Sequence, residues 1–133
     1  MMKKPTLLFF FLLCSTDVFA EWVVVGFAGV NDDITQYVDQ KSIQKQGNKV
    51  KIGRMLDYSK VQTFKKYSFL SSVSRHEYDC VKETTRLLDL TLYSGNMKKG
   101  DVTYSHKNIK AKAYSMKPET VDEYYFKMAC HPQ

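Results

Sequence analysis

An apolar–polar alternation with a period of two dominates residues 22–105, and it restricts this chain to a mainly β fold. Successive side chains of a strand point to opposite faces, so this period predicts strands with one buried face. The clearest instance is a hairpin, in which 42–46 and 49–52 flank Gly47-Asn48, two residue types that accept the positive φ of a tight turn. In the second arm of the hairpin, the alternation places Val50, Ile52 and Leu56 on one buried face.

Further strands are predicted by the same alternation at 22–27, 35–38, 67–79, 86–93 and 101–104. In the fourth of these, Leu88, Leu90 and Leu92 are expected to share one face. Residues 57–66 lack a regular pattern and are predicted to form the long connection of the fold.

The C-terminal part of the chain changes to a helical period. Apolar residues follow the spacing i, i+3, i+4, i+7, i+8 at Val121, Tyr124, Tyr125, Met128 and Ala129. Thr120 and Glu123 have the spacing of a capping box, so we predict a helix over about 120–130. The expected fold class is α+β, with a small antiparallel sheet of about five to six strands covered by this C-terminal helix.

The amino terminus indicates export. A basic Met1–Lys4 segment precedes the eight apolar residues 7–14, a run too short to span a bilayer, and Val18-Phe19-Ala20 resembles a peptidase site. We therefore predict a signal peptide over 1–20, cleaved after Ala20, and a single domain over 21–133 without a transmembrane helix. The alternative is a lipid anchor at Cys14. The mature protein is expected in the periplasm or on the outer-membrane surface.

Two cysteines, Cys80 and Cys130, remain after removal of the signal peptide. In an exported protein an even pair predicts a disulfide, and closing a loop of this length contributes about 4 kcal/mol in the chain-entropy model. The alternative is a zinc site that adds His76 and His131, although adjacent ligands at 130 and 131 suit one ion poorly.

No arrangement of residues typical of catalysis is found in the sequence. Serines at 68, 71, 72 and 74 lie near His76, but no nucleophile-elbow motif surrounds them, and they are interpreted as a solvated strand face. Asp32-Asp33 lacks the calcium-loop pattern and predicts a turn. The sequence therefore predicts a protein that is not an enzyme and has neither a cofactor nor a metal.

Lysines concentrate between residues 98 and 112, with Tyr104 and Tyr114 among them. The mature chain carries a net charge of +5, since the signal peptide removes two lysines and one aspartate from the total of +6. Because the protein is exported, no nucleic-acid partner is expected, and the candidate partners are anionic surfaces. The alternative is a solubilising face without a partner. The candidate binding residues are Lys98, Lys99, Lys107, Lys110 and Lys112.

Short motifs along nearly the whole mature chain resemble, in order, the bacterial surface-adhesin protein E family. They are Tyr37-Val38-Asp39, Ser42-Ile43, Gly47–Val50, Asp57-Tyr58, Glu77–Cys80, Leu92–Gly95 and Val121–Glu123 with Lys127 and Cys130. The resemblance implies an antiparallel sheet with a helix, the Cys80–Cys130 disulfide and a Gram-negative envelope location. It also implies adhesion to host extracellular-matrix or plasma proteins, and a homodimer as one form of assembly.

Two positions depart from the pattern of that family. Gly53 stands where the family usually has tryptophan on the strand after the hairpin, and Phe126 replaces a tryptophan of the helix. Two functions are therefore compared below. One is a non-enzymatic, envelope-exposed module that binds host proteins, and the other is a soluble periplasmic binding or envelope-maintenance domain with no host contact.

Overall fold

The computed structural model describes residues 21–131, in which one antiparallel sheet follows the order of the chain. The predicted signal peptide lies outside the described residues. Six strands form the meander: β1 Trp22–Ala28, β2 Ile34–Gln46, β3 Lys49–Phe64, β4 Tyr67–Asp79, β5 Thr84–Tyr93 and β6 Val102–His106. A two-residue strand β7, Tyr114–Ser115, also pairs with β5, and helix α1 spans Val121–Cys130. The predicted antiparallel sheet with a C-terminal helix is confirmed.

The hairpin between β2 and β3 is formed as predicted. Gly47 has a φ of +60° in the turn, where a side chain would be strained. Lys49 is exposed, whereas Val50 and Ile52 belong to the core.

Strand β2 contains both 35–38 and 42–46, which the alternation predicts as separate strands. The pattern is broken between them because a bulge interrupts the pairing of β2 with β3 between Asp39 and Gln44. The Ser42 hydroxyl fixes this bulge by donating to the Asp39 carbonyl and accepting the Gly53 N–H at 2.7 Å. A Cβ atom at position 53 would lie only 2.8 Å from Ser42 Oγ. The departure from the family pattern at this position thus matches a close approach of the bulge to β3.

The prediction of a long connection over 57–66 is wrong. Strand β3 continues to Phe64, and a two-residue turn at Lys65-Lys66 leads directly into β4. Pairing between β3 and β4 shifts between Asp57 and Gln62. The extra residues in this irregularity break the period of two, which is why the sequence pattern disappears inside a strand.

A second bulge overturns the predicted common face of three leucines. The pairing of β4 with β5 shifts at Arg75/His76, so that Arg75 faces Asp89 and His76 faces Leu87, with Leu88 between them. Leu87, Leu90 and Leu92 consequently share one face, and Leu88 lies on the other.

Helix α1 covers one side of the sheet, here called the helix face. Tyr125 and Phe126 pack there against Val38, Ile52 and Tyr78. The predicted stripe is correct for Tyr125, which is buried, and for Val121, Met128 and Ala129, which pack against the core. Tyr124 departs from it at 43% exposed, and Phe126, outside the stripe, is buried. Phe126 thus keeps an aromatic side chain of the helix in the core.

Both ends of α1 are anchored. The Thr120 side chain accepts the Glu123 N–H, which confirms the predicted cap. The predicted disulfide is also present and joins Cys130, at the end of α1, to Cys80, just after β4, with Cα atoms 5.4 Å apart. Both sulfurs are used in this bond, so the alternative zinc site on these cysteines is excluded.

Candidate functional site

The side of the sheet opposite α1, here called the outer face, carries charged side chains in register across β3, β4 and β5. In one row Lys51 pairs with Glu77 and Glu77 with Arg86. In the next, Arg75 pairs with Asp89. Cross-strand partners share a face, so the meander brings together five charged residues in two neighbouring rows from three strands.

Ion pairs within these rows leave the cations facing solvent. Arg75 Nε lies 3.2 Å from Asp89 Oδ2, and Arg86 Nη2 lies 3.2 Å from Glu77 Oε1. The arginine side chains are 47% and 36% exposed, whereas the aspartate and glutamate are only 18% and 13% exposed. The carboxylates therefore lie beneath the guanidinium groups, and the accessible surface is positive.

A cleft of about 270 Å³ on the outer face collects these cations, and we call it the basic cleft. Four cations and one carboxylate line it together with Leu88, Asn108 and Ile109. The segment after β6 closes one side, because the Ile109 N–H donates to the Leu88 carbonyl and the Asn108 N–H donates to Asp89. The charged lining residues are Lys51, Arg75, Arg86, Lys110 and Asp89.

The five lysines predicted to bind a partner are all exposed but do not form one patch. Lys110 lines the basic cleft, and Lys107 precedes the Asn108 that is bound to Asp89. Lys112 lies on the helix face. Lys98 and Lys99 belong to a separate loop, residues 94–100.

The loop 94–100 is held against the outer face by buried polar groups. Ser71 donates to the Gly95 carbonyl at 2.6 Å and accepts the Lys98 N–H at 3.0 Å. The Asp57 carboxylate accepts from Met97 N–H. Lys98 Nζ lies 5.7 Å from the centre of the Trp22 ring. The interpretation of the β4 serines as a solvated face is therefore wrong for Ser71, Ser72 and Ser74, which are buried. It is correct for Ser68, which is exposed.

The helix face contains a different charged group, which is almost fully enclosed. Arg54, 5% exposed, donates from Nη1 to Asp122 at 2.7 Å and to the Tyr78 hydroxyl at 3.1 Å. Its guanidinium lies over the Tyr125 ring at 4.5 Å. The Tyr114 hydroxyl donates to the second oxygen of Asp122 at 2.7 Å. These residues tie β3, β4, β7 and α1 to one another.

Burial and charge shift two ionisation equilibria near this group. Burial disfavours the ionised form of Asp122, but hydrogen bonds from Arg54 and Tyr114 outweigh it and lower the pKa of the carboxyl. Burial, reinforced by the positive charge of Arg54, lowers the pKa of His76 to about 3. At neutral pH the site therefore holds one Arg–Asp pair and an uncharged imidazole.

Beside Arg54 a cavity of about 440 Å³ opens on the helix face, and we call it the helix-face cavity. Arg54, Ser72, Ser74 and His76 provide its polar part, and Lys112 and Tyr114 line it from the segment before α1. Its apolar lining comprises Leu56, Phe64, Phe69, Leu87, Leu90 and Leu92.

His76 and the nearby β4 serines do not form a nucleophile–base pair. His76 Nδ1 lies 3.5 Å from Thr85 Oγ1, and the Ser71 hydroxyl is used by the loop 94–100. Within residues 21–131 no group of three or more His, Cys, Asp or Glu side chains is arranged to hold a metal ion. Over the same range, no helix has the length and apolarity needed to cross a membrane.

The sequence model of the surface-adhesin protein E family matches residues 22–131, which is almost all of the described chain. The chain belongs to the surface-adhesin protein E family. No curated protein matches it at the level of sequence.

Solved structures of Haemophilus influenzae protein E are similar in fold to this family member. The selenomethionine form matches with a TM-score of 0.57 and 16% identity over 81% of this chain and 88% of that chain. Crystal form II matches with the same TM-score and identity over 81% and 95%. Protein E from non-typeable Haemophilus influenzae matches with a TM-score of 0.58 and 18% identity over 86% and 78%. At these identities the likeness shows a shared fold.

Several residues of both sites were not identified from the sequence. The strand alternation does contain a signal for Lys51, Arg75 and Arg86. Each lies on one of three neighbouring strands, at a position that alternates with side chains of the helix face. Arg54 and Asp122 lie 68 residues apart and carry no such signal. Only the packing of α1 on the sheet brings them together.

Proposed function

We propose that this protein is an exported, non-enzymatic envelope adhesin that binds acidic segments of host extracellular-matrix or plasma proteins through the basic cleft. The observation that carries the proposal is the inward placement of Glu77 and Asp89 beneath the arginines that they neutralise. A partner carboxylate meets guanidinium and ammonium groups before it meets these acids. Membership of the adhesin family supports the same class of function.

Arginine suits this role because its planar guanidinium donates two parallel hydrogen bonds to a carboxylate. The side chains of Arg75 and Arg86 remain partly in solvent and each uses one nitrogen in its ion pair, so each can add a partner carboxylate without losing its own. Lys51 and Lys110 supply further charge at the same cleft. The remaining predicted lysines, at 98, 99, 107 and 112, are proposed to attract the anionic partner over a longer range and accelerate its association.

Two matched variants separate recognition in the cleft from general charge. In the first, Lys51, Arg75, Arg86 and Lys110 are changed to Gln, and in the second Lys98, Lys99, Lys107 and Lys112 are changed to Gln, so each loses four charges. Binding to a panel of purified matrix and plasma proteins is measured by surface plasmon resonance at several salt concentrations.

We expect the cleft variant to lose binding by at least about tenfold, mainly through faster dissociation, and the lysine variant to associate more slowly with little change in dissociation. Equal losses in both would show that net charge, not the cleft, determines binding. Wild-type binding to none of the panel would contradict adhesion and favour the periplasmic domain without host contact.

Export and surface display are tested by protease treatment of intact cells followed by intact-mass analysis of the mature protein. Surface display predicts digestion in whole cells. The mass distinguishes a chain that begins at Glu21 from one lipidated at Cys14. Protection until the outer membrane is breached would identify a periplasmic protein and contradict the adhesin proposal.

A further inference from the structure

The helix-face cavity has the composition of a small-molecule site and is separate from the basic cleft. Its volume of about 440 Å³ falls within the range of roughly 300–1,000 Å³ that ligand pockets occupy. Leucine and phenylalanine make up the largest part of its lining, with a few polar groups gathered beside Arg54. Such a cavity suits a molecule with an apolar body and one polar end.

Arg54 has hydrogen-bonding capacity that the described residues do not use. Both of its side-chain hydrogen bonds leave from Nη1, and Nε is buried without a partner among residues 21–131. Stacking over Tyr125 engages only the flat face of the guanidinium, so it does not satisfy the Nε–H. An unpartnered buried N–H is costly, so a ligand that accepts from it gains that energy on binding.

The charges around the cavity favour an anion. Asp122 neutralises Arg54 in the free protein, His76 is uncharged, and Lys112 adds an ammonium group on the lining segment before β7. A second carboxylate on the other edge of Arg54 would give a guanidinium bridged by two acids, with Lys112 balancing the additional charge. The edge that carries Nε suits the bidentate geometry in which arginine donates two parallel hydrogen bonds to one carboxylate.

We propose that the helix-face cavity binds a fatty acid of medium chain length, with its carboxylate on the free edge of Arg54 and its alkyl chain among the leucines and phenylalanines. The alkyl chain then replaces water along Leu87, Leu90 and Phe69. The aromatic residues Phe64 and Tyr58 lie at the part of the cavity formed by the β3–β4 hairpin.

The first test compares decanoate with decanol, its neutral analogue, by isothermal titration calorimetry on the mature protein. We expect decanoate to bind saturably, one molecule per chain, and at least about tenfold more tightly than decanol, because only the carboxylate pairs with Arg54. Equal affinities, or no saturable binding of decanoate, would overturn the proposal.

The second test uses matched variants. The double change R54Q/D122N removes the enclosed pair without leaving an unpaired charge, and R75Q/D89N makes the same change on the outer face. The first is expected to lower decanoate affinity about tenfold and leave decanol unaffected, and the second to change neither. Loss of decanoate binding in R75Q/D89N, or full binding in R54Q/D122N, would assign the carboxylate to another place.

A third variant guards against failure of R54Q/D122N to fold. Ser74→Leu fills the cavity from β4, opposite Arg54, and leaves both members of the charged pair in the sequence, and Ser68→Leu makes the same change at an exposed position of the same strand. We expect S74L to abolish binding of both decanoate and decanol while S68L binds as wild type. Wild-type affinity in S74L would show that the ligand does not occupy this cavity.

Discussion

The two faces of the sheet each contain an arginine–aspartate pair, and the two pairs differ in their exposure to water. On the helix face the Arg54–Asp122 distance is 2.7 Å, and the arginine side chain is 6% exposed. On the outer face the Arg75–Asp89 distance is 3.2 Å, and the arginine is 47% exposed. The same chemical pair is therefore part of the folded core in one place and part of an accessible surface in the other.

This difference in solvent exposure separates the roles of the two pairs. Charges attract each other more strongly where water is excluded, but each must also lose its hydration, so breaking an enclosed pair leaves a costly unpaired ion. An exposed pair contributes little to stability because water and salt screen it. The outer face can consequently offer its arginines to a partner at small cost, whereas Arg54 organises the packing of α1.

The largest expected effect comes from the bond that holds α1 on the helix face. We predict that Cys80→Ser lowers the free energy of unfolding by about 4 kcal/mol, because the unfolded chain regains the freedom of a loop with a sequence separation of 50. Urea denaturation measures the change. Wild-type protein in reductant is the control and should match the variant; equal stability of the wild type with and without reductant would contradict the prediction.

The enclosed pair gives the next effect, and its counterpart on the outer face is the control. Asp122→Asn leaves Arg54 without a charged partner and is expected to cost about 3 kcal/mol, at the lower end for buried pairs because Asp122 is partly exposed. Asp89→Asn should cost less than about 1 kcal/mol. Both are measured by urea denaturation at neutral pH, and similar losses would remove the distinction between the faces.

A pH titration of stability examines the helix face alone. The pKa of His76 is lowered from 6.5 to about 3 by burial and by Arg54, so between these values the unfolded chain binds more protons than the folded one. Stability should therefore fall as the pH drops below 6.5, by at most about 1.4 kcal/mol per pH unit. The depressed pKa of Asp122 adds a further loss only below its ordinary value of 3.8.

Histidine variants isolate that contribution. His76→Gln should flatten the dependence of stability on pH between about 6.5 and 4.5, whereas His106→Gln, at an exposed position, should not. Thermal unfolding at several pH values provides the measurement. An unchanged slope in H76Q would show that another group causes the acid sensitivity.

The smallest effect on stability is expected on the outer face. Arg75→Gln should change the free energy of unfolding by less than about 1 kcal/mol, because the pair with Asp89 is half in solvent. The same variant should also bind a matrix protein more weakly. Added salt should weaken the binding of the wild type in the same way, because it screens the exposed charge. A stability loss comparable to that of Asp122→Asn would mean that Arg75 is structural.

The sequence predicted the parts of this fold that depend on local pattern. The Gly47-Asn48 turn, the cap at Thr120 and the paired cysteines each follow from neighbouring residues or from export. The bulges near Ser42, Asp57 and Leu88 were missed, because an inserted residue reverses the alternation and the pattern then resembles a loop or the wrong face.

The sites were less predictable because they are formed by residues that are distant in the sequence. Lys110 was identified as one of a lysine cluster, but its neighbours in the cleft come from three other strands. The cavity beside Arg54 depends on residues 111–114 crossing the sheet and on α1 holding Arg54 in place, and no local spacing encodes either. The alternation that buries Val50, Ile52 and Leu56 places position 54 on the same face, but a basic residue is normally expected in solvent, so the burial of Arg54 is not predicted from its residue type.

Adhesion of intact cells to an immobilised matrix protein requires both surface display and the basic cleft, so it tests the proposed adhesin function in one experiment. Cells carry either the wild type or the variant with Gln at 51, 75, 86 and 110, and antibody labelling establishes that the surface levels are equal. We expect wild-type cells to adhere and variant cells to detach at physiological salt. Equal adhesion of both would show that the basic cleft is not the adhesive site.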